Sequence, residues 1–178
     1  MIKITTEKPE HAGAIETLLD EAFGASRHAK ISYSFRQGVE KVVPLCLAAL
    51  DDGVLIASIR FWPIMIGERP SLLLGPIAVA ASHRSSGLGG RLIRCSLERA
   101  KTLGYRSVVL VGDEAYYGRF GFQPAGGQGI VMPHENPARV LALSLANHEG
   151  SRGSLDRELM PSGLIASWRS VRRIATAA

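Results

Sequence analysis

The stretch SLLLGPIAVAASHRSSGLGGRL, residues 71–92, decides how this chain folds. Residues 72–79 form a nearly continuous apolar run, which is typical of a β-strand covered on both faces. Gly75-Pro76 interrupts this run, and because proline brings no N–H to a sheet, the pair predicts a bulge or a local separation of strands. A Gly- and Ser-rich turn at 84–90 then leads into a helix. Backbone N–H groups at such a turn predict an anion-binding site.

Length and composition indicate a single globular domain. The chain has 178 residues, of which 46% are hydrophobic and 21% are charged, and these are ordinary values for a globular protein. No apolar run approaches the roughly 20 residues that cross a bilayer, and the first residues lack the pattern of a signal peptide. We therefore expect a cytoplasmic protein without a membrane partner. Cys46 and Cys95 lie in apolar segments, which indicates two reduced, buried thiols and no metal site.

The net charge of +5 permits anionic ligands but does not identify a nucleic acid. Part of the excess lies near the end of the chain, where Arg169, Arg172 and Arg173 cluster, and such a cluster is typical of a solvated face. The few aromatic residues are not interleaved with basic ones, and this argues against nucleic-acid binding.

Hydrophobic periodicity predicts the element order β-α-α-β-β-β-α-β-α-β-β. Helices are predicted at 9–23, 31–39, 88–103 and 114–120, and the clearest strands at 2–7, 45–50, 54–66, 72–79, 107–111 and 140–145. Strand–helix–strand crossovers beside hairpin strands predict a mixed α/β (α+β) sheet with helices on both faces. We expect residues 1–146 to form the main domain. Residues 147–178 are expected as a loop-rich extension packed on it, with a basic helix at 164–174.

Three phosphate-binding patterns can be compared with the glycine turn. A P-loop requires a Gly-Lys-Ser/Thr tripeptide, which the sequence lacks. A dinucleotide-binding fingerprint that begins at Gly87 would need its third glycine where Leu92 stands. The pattern Arg/Gln-x-x-Gly-x-Gly/Ala, in contrast, is matched in full by RSSGLG at 84–89. This match resembles the cofactor signature of the GNAT acetyltransferases.

A second segment strengthens the resemblance. YGRFGF at 117–122 is similar to the family's Tyr-x-x-apolar-Gly-Phe segment, and one helix and one strand separate the two motifs, as in the family. Together with LGPIAV and LVGD, it most resembles the YhbS-like predicted N-acetyltransferases. The resemblance implies the GNAT fold, with a mostly antiparallel sheet of about seven strands. It also implies acetyl-CoA as co-substrate.

The resemblance further implies roles for individual residues. The strand at 77–79 would hold the pantetheine arm through its backbone, and one of its N–H groups would polarise the thioester carbonyl. The turn would bind the pyrophosphate, with two arginines adding charge. The implied cofactor-binding residues are Ile77, Ala78, Val79, Arg84, Ser85, Ser86, Gly87, Leu88, Gly89, Gly90 and Arg91. Tyr117 would be the general acid for the departing thiolate, because a phenol stays protonated at neutral pH.

The general base remains open. Many relatives carry a glutamate on the central strand, but residues 71–79 contain no acid. Glu68, Asp113 and deprotonation through ordered water are the alternatives, and His83 is expected to face solvent. The segment before Tyr117 also departs from the family, because GDEA at 112–115 replaces Asn-x-x-Ala. No role of that asparagine is carried over.

Two functions follow from these features. The first is an N-acetyltransferase in which a primary amine of a small molecule or protein attacks acetyl-CoA directly. The second is a CoA-binding regulatory module without turnover. Tyr117 favours the enzyme, whereas the missing strand glutamate favours the module. The acceptor side is expected to come from 25–39 and from the Gly-rich stretch after Phe122, and a homodimer is one expected state because dimers are common in the family.

Overall fold

The computed structural model describes residues 1–145 and 162–168. The strands are β1 (Ile2–Thr6), β2 (Leu47–Asp51), β3 (Val54–Ile66), β4 (Arg69–Val79), β5 (Ser107–Val111), β6 (Gln123–Pro124), β7 (Ile130–Val131), β8 (Val140–Ser144) and β9 (Gly163–Ser167). The helices are α1 (Ala12–Phe23), α2 (Ile31–Ser34), α3 (Leu88–Thr102) and α4 (Glu114–Tyr117). Short 3₁₀ turns connect many of them, including Ala25–Ala29 before α2 and Gly118–Phe120 after α4. Within this part of the chain, no helix is both long and apolar enough to cross a bilayer.

The strands form a mixed sheet in the order β1-β2-β3-β4-β5-β8-β6, and β9 pairs with both β3 and β7. Among the described strands, only the β4–β5 and β7–β9 pairs are parallel. The predicted mixed, mostly antiparallel sheet is confirmed. The described residues contain nine strands where about seven were predicted: the six strands whose bounds were predicted are present, the Gly-rich stretch supplies two strands of two residues each, and β9 is the ninth. The prediction of two buried thiols is confirmed for Cys46 and is wrong for Cys95, which is exposed on α3.

The break at Gly75-Pro76 changes which side chains of β4 face each helix. The β3–β4 register pairs Phe61 with Leu74 but Ile59 with Ile77, so β4 contains one extra residue at this point. Such a shift moves the following side chains to the opposite face of the sheet. Leu74 accordingly packs with α3, whereas Ala78 packs with α1 on the other face. The predicted bulge is confirmed, and the two long helices lie on opposite faces.

Two predicted helices differ from the structure. The helix predicted at 31–39 ends after Ser34, and the chain continues in a tighter turn in which the Arg36 N–H donates to the Tyr33 carbonyl. The helix predicted at 164–174 is wrong over 164–167, since Gly163–Ser167 is strand β9, whereas Trp168 is helical. Its backbone pairs with the end of β3, and its Ile165 side chain is buried. Residues 169–174 of that prediction lie outside the described residues.

Candidate active site

The central strand β4 has one edge that becomes unpaired partway along its length. β5 pairs with β4 at Leu72 and Leu73 only, and at this closed end the Ser71 hydroxyl lies 2.8 Å from the Ser107 hydroxyl. β3 covers the opposite edge of β4 as far as Val79. Among the described strands none pairs with the β5-facing edge beyond Leu73. The backbone groups of residues 77–79 on that edge are therefore available to a ligand.

The glycine turn presents backbone N–H groups at the start of α3. Ser85 and Gly87 both adopt left-handed backbone angles, with φ of 64° and 77°. The first backbone hydrogen bond of α3 runs from the Arg91 N–H to the Gly87 carbonyl. The N–H groups of Gly89 and Gly90 therefore precede the helical ladder and have no intrahelical acceptor. Their position at the positive end of the helix dipole suits an anion.

Bare backbone forms the floor of the crevice beside this turn. A Cβ at Gly89 would lie 3.2 Å from the Tyr116 hydroxyl, and one at Gly90 would lie 3.4 Å from the Phe120 ring. The crevice encloses about 340 Å³. Since the two glycines carry no side chains, a ligand in the crevice can approach the main chain closely.

Arginines line this crevice from three positions. Arg84 lies in the turn, Arg94 on α3 packs over the Phe120 ring at 5.2 Å, and Arg119 packs over the Tyr116 ring at 4.1 Å. None of the three forms a salt bridge within residues 1–145 and 162–168. The crevice is therefore positively charged and suits a polyanion such as a pyrophosphate.

The structure separates the sequence-predicted cofactor residues into groups. Val79, Arg84, Ser85, Gly87, Leu88, Gly89 and Gly90 line the crevice, and Ile77 lines the larger cavity beside it. The Ala78 side chain faces α1, so only its backbone can contribute. The Ser86 hydroxyl donates to the His83 carbonyl at 2.7 Å and braces the turn. Arg91 is exposed and does not line the crevice, whereas Arg94 and Arg119, which were not predicted, do.

The larger cavity occupies the space where β4 and β5 separate, and it measures about 690 Å³. This volume falls within the range of small-molecule sites. One wall comes from Leu73–Ile77 of β4 and another from 110–113, the end of β5 and the two residues that follow it. Tyr116 lines both this cavity and the crevice. The two spaces therefore meet at Tyr116 and together form a cleft, which we call the β4–β5 cleft.

Tyr117 lines the β4–β5 cleft from α4. Asp113 begins this helix by accepting a hydrogen bond from the Ala115 N–H at 3.0 Å, as expected of an N-cap. The Tyr117 ring packs so closely on Gly112 that no side chain fits there, and it meets the Phe122 ring edge-on at 6.1 Å. Burial raises the pKa of Tyr117 to about 12. The phenol therefore carries its proton throughout the neutral range.

The remaining wall carries polar side chains that the sequence motifs did not identify. Arg36 comes from the turn after α2, and His134, Glu135 and Arg139 come from the segment before β8. The expected acceptor segment 25–39 lines the cavity, but the residues after Phe122 that do so follow the Gly-rich stretch rather than lie in it. These residues belong to loops without a motif, so no sequence signal pointed to them.

The acid–base candidates are distributed unevenly around this cavity. Asp113, His134 and Glu135 line it. Glu68 lies in the exposed β3–β4 turn and does not. His83 lies beside the crevice instead, where its ring is 3.6 Å from the Asp51 carboxylate. Of the two acids considered from sequence, only Asp113 lies where an acceptor amine would meet it.

The sequence of this chain is similar to those of one family of enzymes. The model of the acetyltransferase (GNAT) family matches residues 12–122. The uncharacterized N-acetyltransferase YjhQ of Escherichia coli strain K12 is 34% identical over 137 residues, which cover 74% of this chain and 75% of YjhQ. The uncharacterized N-acetyltransferase YhbS of the same strain is 34% identical over 125 residues, which cover 68% of this chain and 74% of YhbS.

Solved structures agree with this result. A crystal structure of YhbS from Escherichia coli in complex with CoA matches with a TM-score of 0.77 and 25% identity, over 97% of this chain and 92% of that chain. A GNAT family acetyltransferase from Brucella melitensis in complex with acetyl-CoA matches with a TM-score of 0.68 and 26% identity, over 96% of this chain and 98% of that chain. The unpaired β4 edge, the glycine turn and these matches agree, and the chain belongs to the GNAT acetyltransferase family.

Proposed function

We propose that this protein transfers the acetyl group of acetyl-CoA to a primary amine of a small molecule or protein, with Tyr117 as the general acid. As a GNAT acetyltransferase it is an acyltransferase with acetyl-CoA as co-substrate. The observation that carries the proposal is the continuous surface from the unpaired β4 edge to the glycine turn. Two relatives of similar fold were crystallised with CoA and with acetyl-CoA, and this supports the same ligand in the β4–β5 cleft.

The residues of the cleft fit the two ends of this co-substrate. The N–H groups of Gly89 and Gly90 and the arginines of the crevice match a pyrophosphate. The β4 backbone at 77–79 offers hydrogen-bonding groups at the spacing of an extended strand, which suits an arm that carries amides. Acetyl-CoA supplies a thioester whose carbonyl carbon accepts the amine. A β4 N–H directed at the carbonyl oxygen would stabilise the charge that develops there.

Proton transfer is the task of the side chains around the larger cavity. Tyr117 holds its proton at neutral pH and can donate it to the sulfur that leaves. The incoming amine has to lose a proton first, and Asp113, His134 and Glu135 are the groups of the cavity wall that can accept it, directly or through water. These groups can act as the general base in place of a strand glutamate, and this supports the enzyme over the regulatory module.

The experiment that tests this proposal has two stages. Acetyl-CoA binding is measured first, by isothermal titration and by the shift in thermal midpoint. Thiol release is then followed across a panel of primary amines and amine-bearing peptides, and acetylated products are identified by mass spectrometry. We expect saturable acetyl-CoA binding and amine-dependent thiol release. If acetyl-CoA does not bind, both the enzyme and the regulatory module are wrong, and binding without transfer to any amine would favour the module.

A further inference from the structure

Arg36 reaches into the β4–β5 cleft at the break in β4. It follows α2, and its guanidinium lies over the Tyr33 ring at 4.2 Å. Its Nη2 atom lies 3.5 Å from the point that a Cβ on Gly75 would occupy. Because Gly75 has no side chain, the charged end of Arg36 can lie against the strand next to the edge assigned above to the acetyl arm.

The guanidinium of Arg36 lacks a counter-charge. Its Nε and Nη1 atoms are buried and have no hydrogen-bond partner among residues 1–145 and 162–168. These two nitrogens carry three of the five N–H donors of an arginine. Buried donors without acceptors are uncommon in folded proteins, and a buried charge is usually paired. The state of Arg36 therefore calls for an explanation.

The neighbouring arginines, Arg27 and Arg60, form ion pairs with the nearby carboxylates. Arg60 on β3 bonds to both oxygens of Glu7, at 2.8 and 2.9 Å, and to Glu16 at 2.6 Å. Arg27 bonds to Asp20 at 2.8 Å and to Glu16. This set, which we call the Arg60 network, uses Glu7 together with Glu16 and Asp20 of α1, and it leaves Arg36 outside. Burial lowers the pKa of Arg36 to about 10; Tyr33 opposes this shift, and the charges of Arg27 and Arg60 add to it.

The rest of the cavity wall also has more cations than free acids. Lys30 and Arg139 line it together with Arg36. Two carboxylates line it as well, but Asp113 caps α4 and Glu135 accepts a hydrogen bond from the Asn136 N–H at 3.0 Å. Neither acid forms a salt bridge to Arg36 in the described part of the chain. A negatively charged group that enters the cavity would therefore meet an unbalanced positive charge at Arg36.

We propose that the acceptor of this enzyme is a primary amine that also carries a carboxylate, as amino acids do, and that Arg36 binds this carboxylate. The proposal rests on the acetyl transfer proposed above and names the acceptor class. The amine would face the acetyl arm at the β4 edge while the carboxylate pairs with the guanidinium beside Gly75. A carboxylate is the natural partner of an arginine because its two oxygens match the fork of N–H groups.

The test is a binding comparison in the CoA-bound protein. The common amino acids and their methyl esters are titrated into the wild-type protein and into Arg36→Gln in the presence of CoA. An ester keeps the amine and the side chain but removes the negative charge. We expect at least one amino acid to bind wild type about 10-fold or more tightly than its ester. Arg36→Gln should reduce that ratio to near 1, and Arg36→Lys should restore part of it.

A matched control removes a charge elsewhere. Arg69 is exposed at the start of β4, away from the cavity, so Arg69→Gln should keep the preference for the acid. The proposal is overturned if no acid is preferred over its ester, or if the preference survives Arg36→Gln. It is also overturned if Arg36 instead selects the carboxylate of an acyl donor, seen as a preference for succinyl-CoA over acetyl-CoA that Arg36→Gln abolishes. Acetyl-CoA binding is measured on the same protein preparations before CoA is added, so a failure of the proposed function is detected separately.

Discussion

The two ends of the β4–β5 cleft are built in different ways. At the crevice end, main-chain N–H groups of one short turn form the surface, and the side chains around them are cationic. At the cavity end, side chains from α2, α4 and the segment before β8 form the surface, and no single segment dominates. A surface made of backbone recognises a feature that every ligand of the family shares. A surface made of side chains from separate loops can differ from one relative to the next, and in the proposed function it is the surface that meets the acceptor.

The cavity end depends on the Arg60 network, which ties β1, β3 and α1 to the turn before α2. Burial of Glu7 opposes its ionisation, but hydrogen bonds and charge from Arg60, and then from Lys41, outweigh burial and hold its pKa below the ordinary value of 4.5. Arg60→Met would leave this buried carboxylate with Lys41 as its remaining partner. We expect the free energy of unfolding to fall by about 3 kcal/mol, measured by urea denaturation.

Arg36→Met makes the same change at an arginine that has no acid partner among the described residues. We therefore expect the free energy of unfolding to stay constant or to rise. Equal losses of stability in the two variants would show that Arg36 is a structural residue, and the distinction between paired and unpaired arginines would be wrong.

Tyr117→Phe tests the chemistry at the cavity end, which Tyr117 lines. The variant keeps the ring that packs on Gly112 but removes the proton donor. We expect kcat to fall by about 100-fold, while the Kd for acetyl-CoA changes by less than about 2-fold. Tyr116→Phe, the neighbouring phenol whose hydroxyl lies beside Gly89, is the control and should retain far more turnover. An unchanged kcat in Tyr117→Phe would remove this residue from the mechanism.

Charge reversal tests the crevice end. Arg84 lines the crevice and Arg91 does not, although both were predicted from sequence to meet the pyrophosphate. Because both side chains are exposed, neither change should disturb the fold. Arg84→Glu should weaken acetyl-CoA binding by about 10-fold, and Arg91→Glu should weaken it by less than about 3-fold. Isothermal titration measures both dissociation constants. A larger loss of affinity in Arg91→Glu than in Arg84→Glu would place the pyrophosphate on the other side of α3.

The smallest expected effect concerns alkaline pH. A general acid works only while protonated, so Tyr117 supports turnover below its raised pKa of about 12 and loses this ability above it. From about pH 7 to pH 10, kcat should therefore stay level or rise as the acceptor amine loses its proton. A fall of kcat in that range that is present in wild type and absent in Tyr117→Phe would show that the phenol ionises earlier than its burial indicates.

The sequence alone could predict the parts of this molecule that depend on local pattern. The strands Val54–Ile66 and Ser107–Val111 have the predicted bounds, because mainly apolar runs end there at turn residues. The glycine turn was predictable because its function resides in the backbone of consecutive residues. The mixed sheet, the family and acetyl-CoA as co-substrate are confirmed.

Features that depend on distant contacts were not predictable. Residues 164–167 appeared helical because nothing local indicates that β3 pairs with them. Arg36 and Arg139 are separated by about a hundred positions and line the same cavity because β4 and β5 diverge and leave space between them. The one-residue shift at the β4 break likewise reverses the faces of Ile77 and Ala78, which an uninterrupted alternation would assign the other way.

One measurement tests most directly whether the glycine turn binds the pyrophosphate end of the co-substrate. Acetyl-CoA and acetyl-pantetheine, which lacks the pyrophosphate and the nucleotide, are titrated into wild type and into Gly89→Val. The new side chain would cover the crevice floor, where its Cβ would lie 3.2 Å from the Tyr116 hydroxyl and 3.5 Å from the Val79 side chain. We expect Gly89→Val to weaken acetyl-CoA binding by about 10-fold or more and to leave acetyl-pantetheine binding unchanged. Unchanged acetyl-CoA binding, or an equal loss for both ligands, would contradict the account.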